Sequence, residues 1–174
     1  MLKIITLIFR TKNRENKCAL AFLVASILLP LNVVATVTFV DSFSLSIQST
    51  LPRGIAFNAN GTKMFVVGGG DNEVNEYTLT TGFDVSTASF VDAFGHGTIE
   101  KPRGVGFNTD GTKMFIADPT DDEVLEYALT TGFDVSTASY SQKVSTNPPE
   151  RSPRSIVFNT DGTKMFIPGD RGNA

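Results

Sequence analysis

Residues 52–94 read PRGIAFNANGTKMFVVGGGDNEVNEYTLTTGFDVSTASFVDAF, and residues 102–144 read PRGVGFNTDGTKMFIADPTDDEVLEYALTTGFDVSTASYSQKV. The two stretches agree at 26 of 43 aligned positions, eleven of them consecutive, 79–89 against 129–139. A third copy, PRSIVFNTDGTKMFIPGD, opens at Pro153. The copies start 50 and 51 residues apart. Upstream, VTFVDSF at 37–43 matches ASFVDAF at 88–94, the tail of the first copy. Self-similarity at a fixed period marks a fold whose units bury their faces against one another.

Each copy reads as four short strands. In the first copy they span residues 53–58, 63–67, 73–79 and 89–94. Between the first two strands stands Asn58-Ala59-Asn60-Gly61, and its equivalents end in Gly111 and Gly162. Such stretches are tight hairpin turns in which glycine supplies the positive φ. The second strand (KMFVV, KMFIA, KMFIP) is apolar on consecutive residues. A strand with one wet face would alternate, so this one is expected to be covered on both faces. Four antiparallel strands per 50-residue copy predict an all-β chain, a partial β-propeller of four-stranded blades.

The string Pro-Arg-Gly-[Ile/Val]-x-Phe-Asn-x-[Asn/Asp]-Gly-Thr-Lys-Met-Phe, followed by Glu-Val-x-Glu-Tyr-x-Leu, resembles β-propeller repeats of the NHL and YVTN types. It is similar, less closely, to the Asp-Gly hairpin of WD-type and TolB-type blades. The resemblance covers nearly all of residues 37–174. It implies a propeller, and it fixes no function, because such propellers include adhesins, scaffolds, sensors and lactonases. Those propellers have four to eight blades, and this chain supplies fewer than three.

The 174 residues carry 15 Lys+Arg and 18 Asp+Glu, a net charge of -3. The charge is uneven. Residues 1–35 hold Lys3, Arg10, Lys12, Arg14 and Lys17 against Glu15, a net +4, and the body carries -7. A basic stretch to Lys17, an apolar run over residues 18–29 and the small-residue exit Val33-Val34-Ala35 predict a secretory signal peptide cleaved after Ala35. An uncleaved membrane anchor is the alternative. The apolar start at residues 2–9 makes the front of that signal unusually long. The organisation expected is therefore 1–35 signal peptide, 36–51 closing outer strand of a preceding blade, 52–101 and 102–152 two blades, and 153–174 a truncated third. The chain ends where the earlier copies enter their third strand, so it is read as part of a longer frame.

Composition narrows the chemistry. One cysteine, Cys18, excludes an intrachain disulfide framework and a cysteine zinc site, and one histidine, His96, excludes paired histidine ligands. The acidic body has no basic, aromatic-interleaved patch for nucleic acid. Gly68-Gly69-Gly70 lacks the helix and the Lys-Ser/Thr pair of a phosphate loop. Arg53, Arg103 and Arg154 recur at one repeat position, as do Glu76 and Glu126. Recurrence points to a contact that every blade needs, and Met64, Met114 and Met165 read as core for the same reason. His96, in Gly95-His96-Gly97, breaks the symmetry and reads as an exposed loop histidine. Asp118, Asp121, Asp122 and Glu123 form an acidic loop without the spacing of a calcium site. Asn60-Gly61-Thr62 matches a glycosylation acceptor but is already explained as a turn.

The function expected is a secreted or periplasmic, surface-exposed module without catalysis. It would serve protein or carbohydrate binding, adhesion or structure. No catalytic, cofactor or metal residue is assigned, and no cofactor is expected. The partner is an unknown protein or glycan, with membrane contact only through an uncleaved head and self-association through open blade faces. The alternatives are a propeller enzyme of lactonase or hydrolase type, with most of its site in other blades, and a membrane-anchored scaffold.

Overall fold

The computed structural model describes residues 3–10, 36–148 and 151–170. Its strands are β1 (Lys3–Arg10), β2 (Thr36–Ser44), β3 (Pro52–Phe57), β4 (Lys63–Gly68), β5 (Glu73–Leu79), β6 (Ala88–Gly95), β7 (Gly104–Phe107), β8 (Lys113–Asp118), β9 (Glu123–Leu129), β10 (Ala138–Ser145), β11 (Val157–Phe158) and β12 (Met165–Phe166). They form two four-stranded antiparallel sheets, β3-β4-β5-β6 and β7-β8-β9-β10. A β11–β12 hairpin follows and a β1–β2 pair precedes. The four strands read for each of the two full copies are all present, and the third copy shows its first two.

Turn chemistry makes these hairpins. Gly61, Gly111 and Gly162 have φ of 71°, 74° and 70°. In each copy the leading asparagine closes the turn: Asn58 Oδ1 accepts the Lys63 N–H at 3.0 Å, Asn108 the Lys113 N–H at 2.9 Å and Asn159 the Lys164 N–H at 2.8 Å. The second turn of each blade folds over the first. Phe83 N–H donates to the Gly61 carbonyl, and the Phe83 ring fills the place where a Cβ on Gly61 would stand.

The core lies between sheets. Val66 and Met64 of β4 pack with Tyr77, Leu79, Val85 and Leu45 on the side of β2. Phe65 and Val67, the alternate residues, pack with Val105, Met114, Ile116 and Tyr127 of the second sheet. Strand two is thus buried on both faces, as its unbroken apolar run requires. A smaller cluster, Ala117, Val124 and Ile156 with Phe115, Phe158 and Met165, joins the second sheet to the β11–β12 hairpin. The first strands crowd together: a Cβ on Gly54 would stand 2.5 Å from the Arg103 carbonyl oxygen, and one on Gly104 would stand 2.7 Å from Ser155 Cα. β3, β7 and the segment entering β11 are therefore the inner edge of the stack.

β1 uses part of the segment read as a signal. It pairs antiparallel with β2, and its register shift falls between Thr6 and Leu7, as the β5–β6 shift falls between Glu76 and Tyr77. The apolar run at 18–29, Cys18 and the exit at Ala35 lie outside the described residues.

Candidate functional site

Antiparallel strands give each blade two ends, and the copies differ at only one of them. The turns at 58–61 and 80–87 lie at one end and are near-identical between copies. The connections at 44–52, 68–73, 95–104, 118–123 and 145–153 lie at the other end and share little. What every blade needs recurs; what one blade does uniquely does not. The non-repeating end is where a site belongs.

A cavity of about 380 Å³ opens at the repeating end between Phe57, Phe107, Phe133 and Phe158. Its polar rim is already used in turns, with Asn108 bonded to Lys113 N–H and Thr112 and Asn159 to Lys164 N–H and Thr163. Asn60 Oδ1 likewise takes Thr62 N–H and Oγ1–H at 3.1 and 2.6 Å.

At the non-repeating end the first blade holds a buried polar cluster that its copy lacks. Ser49 and Asn75 are both buried, and their places in the second copy are taken by Ile99 and Leu125. Asn75 Nδ2 donates to Asp71 Oδ2 at 3.1 Å. Ser49 Oγ, Asp71 Oδ1, Asn72 Oδ1 and Tyr77 OH are buried with no hydrogen-bond partner. A side chain on Gly68 would meet both Ser49 Oγ and Asp71 Oδ1, so glycine leaves these oxygens their space. The Arg53 guanidinium lies against Gly69 in the same way. Burial, with Asp71 nearby, pushes the Tyr77 phenol up to about 12. Buried polar groups are nearly always satisfied, so four orphaned oxygens mark a place for water or a ligand. Sequence reasoning missed this cluster. The signal was present as two polar-for-apolar exchanges between otherwise matching copies.

The matching region of the second blade is closed. Asp118 Oδ2 accepts Glu100 and Lys101 N–H, and its Oδ1 accepts Thr120 N–H at 2.9 Å. Asp122 Oδ1 accepts Ser152 N–H at 2.8 Å, and Glu123 pairs with Lys143 at 2.7 Å. The acidic loop is a set of staples rather than a cation cradle, and among the described residues no group of three or more metal-ligating side chains converges. Tyr127 OH shares a 2.7 Å hydrogen bond with Thr98 Oγ1, and burial nonetheless raises its pKa.

His96 is exposed but held in place. Its ring stacks on Tyr140 at 5.9 Å and on Phe94 at 6.4 Å. Nδ1 accepts the Thr98 N–H at 3.2 Å, so in the neutral ring Nε2 carries the proton. Arg103 Nε is buried without a partner, while Arg154 pairs with Asp170. Of the recurring glutamates, Glu76 acts between blades, while Glu126 bonds Lys113 and Gln142 of its own blade. Glu76 pairs with Lys63 at 2.7 Å and accepts the Val135 N–H of the next blade at 2.9 Å; Lys63 Nζ donates to the Phe133 carbonyl at 2.6 Å.

No family model and no curated protein matches the chain. Solved structures do. A putative 6-phosphogluconolactonase from Bacteroides uniformis superposes with a TM-score of 0.55 at 15% identity, over 79% of this chain and 38% of its own. One from Bacteroides fragilis gives 0.53 at 14%, over 67% and 31%. A functionally unknown protein from Desulfotomaculum acetoxidans gives 0.54 at 19%, over 77% and 39%. The sheets are β-propeller blades. The chain spans well under half the length of these neighbours. The comparison also corrects one expectation. The sequence assembles no acid, base and nucleophile and so predicts a segment without catalysis, yet blades of the same build occur in proteins described as putative 6-phosphogluconolactonases. The physical reason is that a propeller site draws on several blades, so a short set of blades need not display a whole catalytic set. Among the described residues no helix is long and apolar enough to cross a membrane.

Proposed function

We propose that these blades belong to a propeller hydrolase that opens a lactone, with the ester carbonyl held at the non-repeating end. The observation that carries this reading is the concentration there of what breaks the repeat, the buried Ser49 and Asn75 beside Asp71 and Tyr77 and the seated His96, at the same end as the inner-strand arginines that recur in every copy. Arg53, Arg103 and Arg154 start adjacent inner strands and suit an anionic sugar-acid substrate. His96 Nε2–H is a donor for the oxygen that gains charge as water adds to the carbonyl. In the reaction, water adds to the carbonyl carbon, the ring C–O bond breaks, the departing oxygen takes a proton, and the new carboxylic acid ionises. The Bacteroides neighbours, both described as putative 6-phosphogluconolactonases, support the substrate class. The finer likeness to NHL and YVTN repeats belongs to this proposal too, as does export: the basic head, apolar run and Val33-Val34-Ala35 exit support a periplasmic or secreted site of action.

Proton release from 6-phosphogluconolactone and from glucono-1,5-lactone, corrected for spontaneous opening, tests the reading. Turnover above background is expected, falling about tenfold or more in kcat/KM with Arg103→Ala and with His96→Ala. Release no faster than the uncatalysed reaction would remove the hydrolase reading for this chain.

A further inference from the structure

Blade one carries a carboxylate whose inner oxygen is buried and whose charge no side chain balances. Asp71 takes one hydrogen bond, from Asn75 Nδ2 to its Oδ2 at 3.1 Å, and enters no ion pair among the described residues. Its Oδ1 is buried without a partner, and so are Ser49 Oγ and Tyr77 OH. Ser49 is 2% exposed and Tyr77 0%. These oxygens converge. Ser49 Oγ and Asp71 Oδ1 stand 2.0 and 2.5 Å from the place of a Cβ on Gly68, near enough for one ion to touch both. Tyr77 follows Asn75 by two residues on β5 and shares its face, and after burial it is the Asp71 charge that raises its pKa. Blade two shows the same place without the charge. Ile99 and Leu125 stand at the positions of Ser49 and Asn75, Asp121 at the position of Asp71 is exposed, and Tyr127 OH is satisfied by Thr98. A buried charge is paired with an opposite one or coordinates a metal ion. Water would satisfy the oxygens of blade one but would leave the charge unbalanced.

We propose that Ser49, Asp71 and Tyr77 form a site for one monovalent cation of sodium size. The ion joins the loop that carries Ser49 to the connection that carries Asp71. In blade two the corresponding connections are joined by a side chain instead: Asp118 accepts the Glu100 and Lys101 N–H groups. Its counterpart Gly68 has no side chain to do this, and any side chain there would press on the Ser49 and Asp71 oxygens. Charge sets the valence. One carboxylate among neutral hydroxyls balances one positive charge, whereas divalent sites collect several carboxylates, and no such group of three or more converges among the described residues. The proposal does not rest on the lactone reading, and its readout is stability rather than turnover.

The probe is sodium chloride added to the full chain, with choline chloride holding the ionic strength constant, since choline is too large to enter. An ion bound only by the folded chain lowers the unfolding equilibrium constant about tenfold for each tenfold rise in sodium above its dissociation constant. Urea midpoints are expected to rise with sodium in that way. Asp71→Asn abolishes the rise and leaves stability in choline undiminished, because it removes the unbalanced charge. Ser49→Ile together with Asn75→Leu, the pair that blade two already packs, abolishes it as well. Tyr77→Phe matches the parent in choline and falls behind it in sodium. Equal midpoints in sodium and choline overturn the proposal, as does a sodium effect that survives Asp71→Asn. A larger gain from calcium at the same ionic strength, lost with Asp71→Asn, overturns the monovalent assignment.

Discussion

At the scale of single residues, the two blade glutamates make opposite demands on the chain. Glu76 is sealed between blades, and its charge is matched by Lys63 and by the Val135 N–H. Replacing Glu76 leaves the Lys63 ammonium, one-third exposed and still bonded to the Phe133 carbonyl, without its carboxylate, and costs the charge-assisted bonds of Glu76, about 2 kcal/mol. Glu76→Gln is expected to lower the urea midpoint accordingly, and a loss under about 1 kcal/mol would mean that the pair does not join the blades. Glu126 is less enclosed. Burial opposes its ionisation, but hydrogen bonds from Lys113 and Gln142 outweigh that and hold it below its usual 4.5. A depressed carboxylate contributes stability that is complete above the unfolded value and lost as pH falls through the folded one. Glu126→Gln should therefore flatten the acid limb of the stability profile below about pH 4.5. Tyr77 acts at the other limit. Its folded value, about 12, lies above the ordinary 10. Below pH 10 neither state loses the proton; between 10 and about 12 only the unfolded chain does, so stability falls as pH rises. Tyr77→Phe should remove much of that alkaline slope, Tyr127 supplying the rest. At neutral pH it should cost little, because the hydroxyl has no partner to lose.

At the scale of elements, most strands were legible because the repeat states each of them twice. β3 to β6 follow from the Asn-x-[Asn/Asp]-Gly turns and from the unbroken apolar run of strand two. The Lys63–Glu76 pair was not legible as a geometry. Its members stand 13 residues apart and its turn partner 59 residues further on, so only the folded blades bring them together. Recurrence did indicate the kind of role, a contact between blades. The candidate site was hardly legible: His96 reads from the sequence as an exposed loop residue and the arginines as a contact every blade needs, while Ser49 and Asn75 needed the copies to be compared position by position. β1 was not legible because residues 2–9 are apolar in the way both a signal and a strand are. Cleavage after Ala35 would remove β1 and open the edge of β2. N-terminal sequencing of exported protein is expected to begin at Thr36, and intact Met1 in the membrane fraction would favour an anchor. In cleaved protein the amides of β2 that face β1 should exchange faster than in the full chain. Equal rates would show that β1 does not hold that edge.

For the whole molecule, stability in a stack of repeats is a sum of unit terms and neighbour interfaces, so it should be graded along the chain. The joint between the first and second sheets has the largest cluster, running from Phe65 and Val67 through Met114, Ile116, Leu125 and Tyr127. The joint between the second sheet and the β11–β12 hairpin has three buried members, Ala117, Val124 and Ile156. That hairpin is two residues per strand, and Val157 and Phe166 are 56% and 55% exposed. Local opening needs less free energy where fewer apolar contacts are broken and more backbone already faces water. Hydrogen exchange should therefore divide the molecule. Amides of β4, β8 and β9 should exchange only on global unfolding, with one shared dependence on urea. Amides of β11 and β12 should exchange by a separate opening that is nearly independent of urea, since little surface is exposed in it. Gly104→Ala provides a second test. A methyl there drives β7 from the Ser155 backbone at the inner edge, where neither partner is a flexible side chain. It should weaken protection in β11 and β12 before it affects β4. If both groups of amides lost protection in parallel, the blades would be one cooperative unit rather than a graded stack.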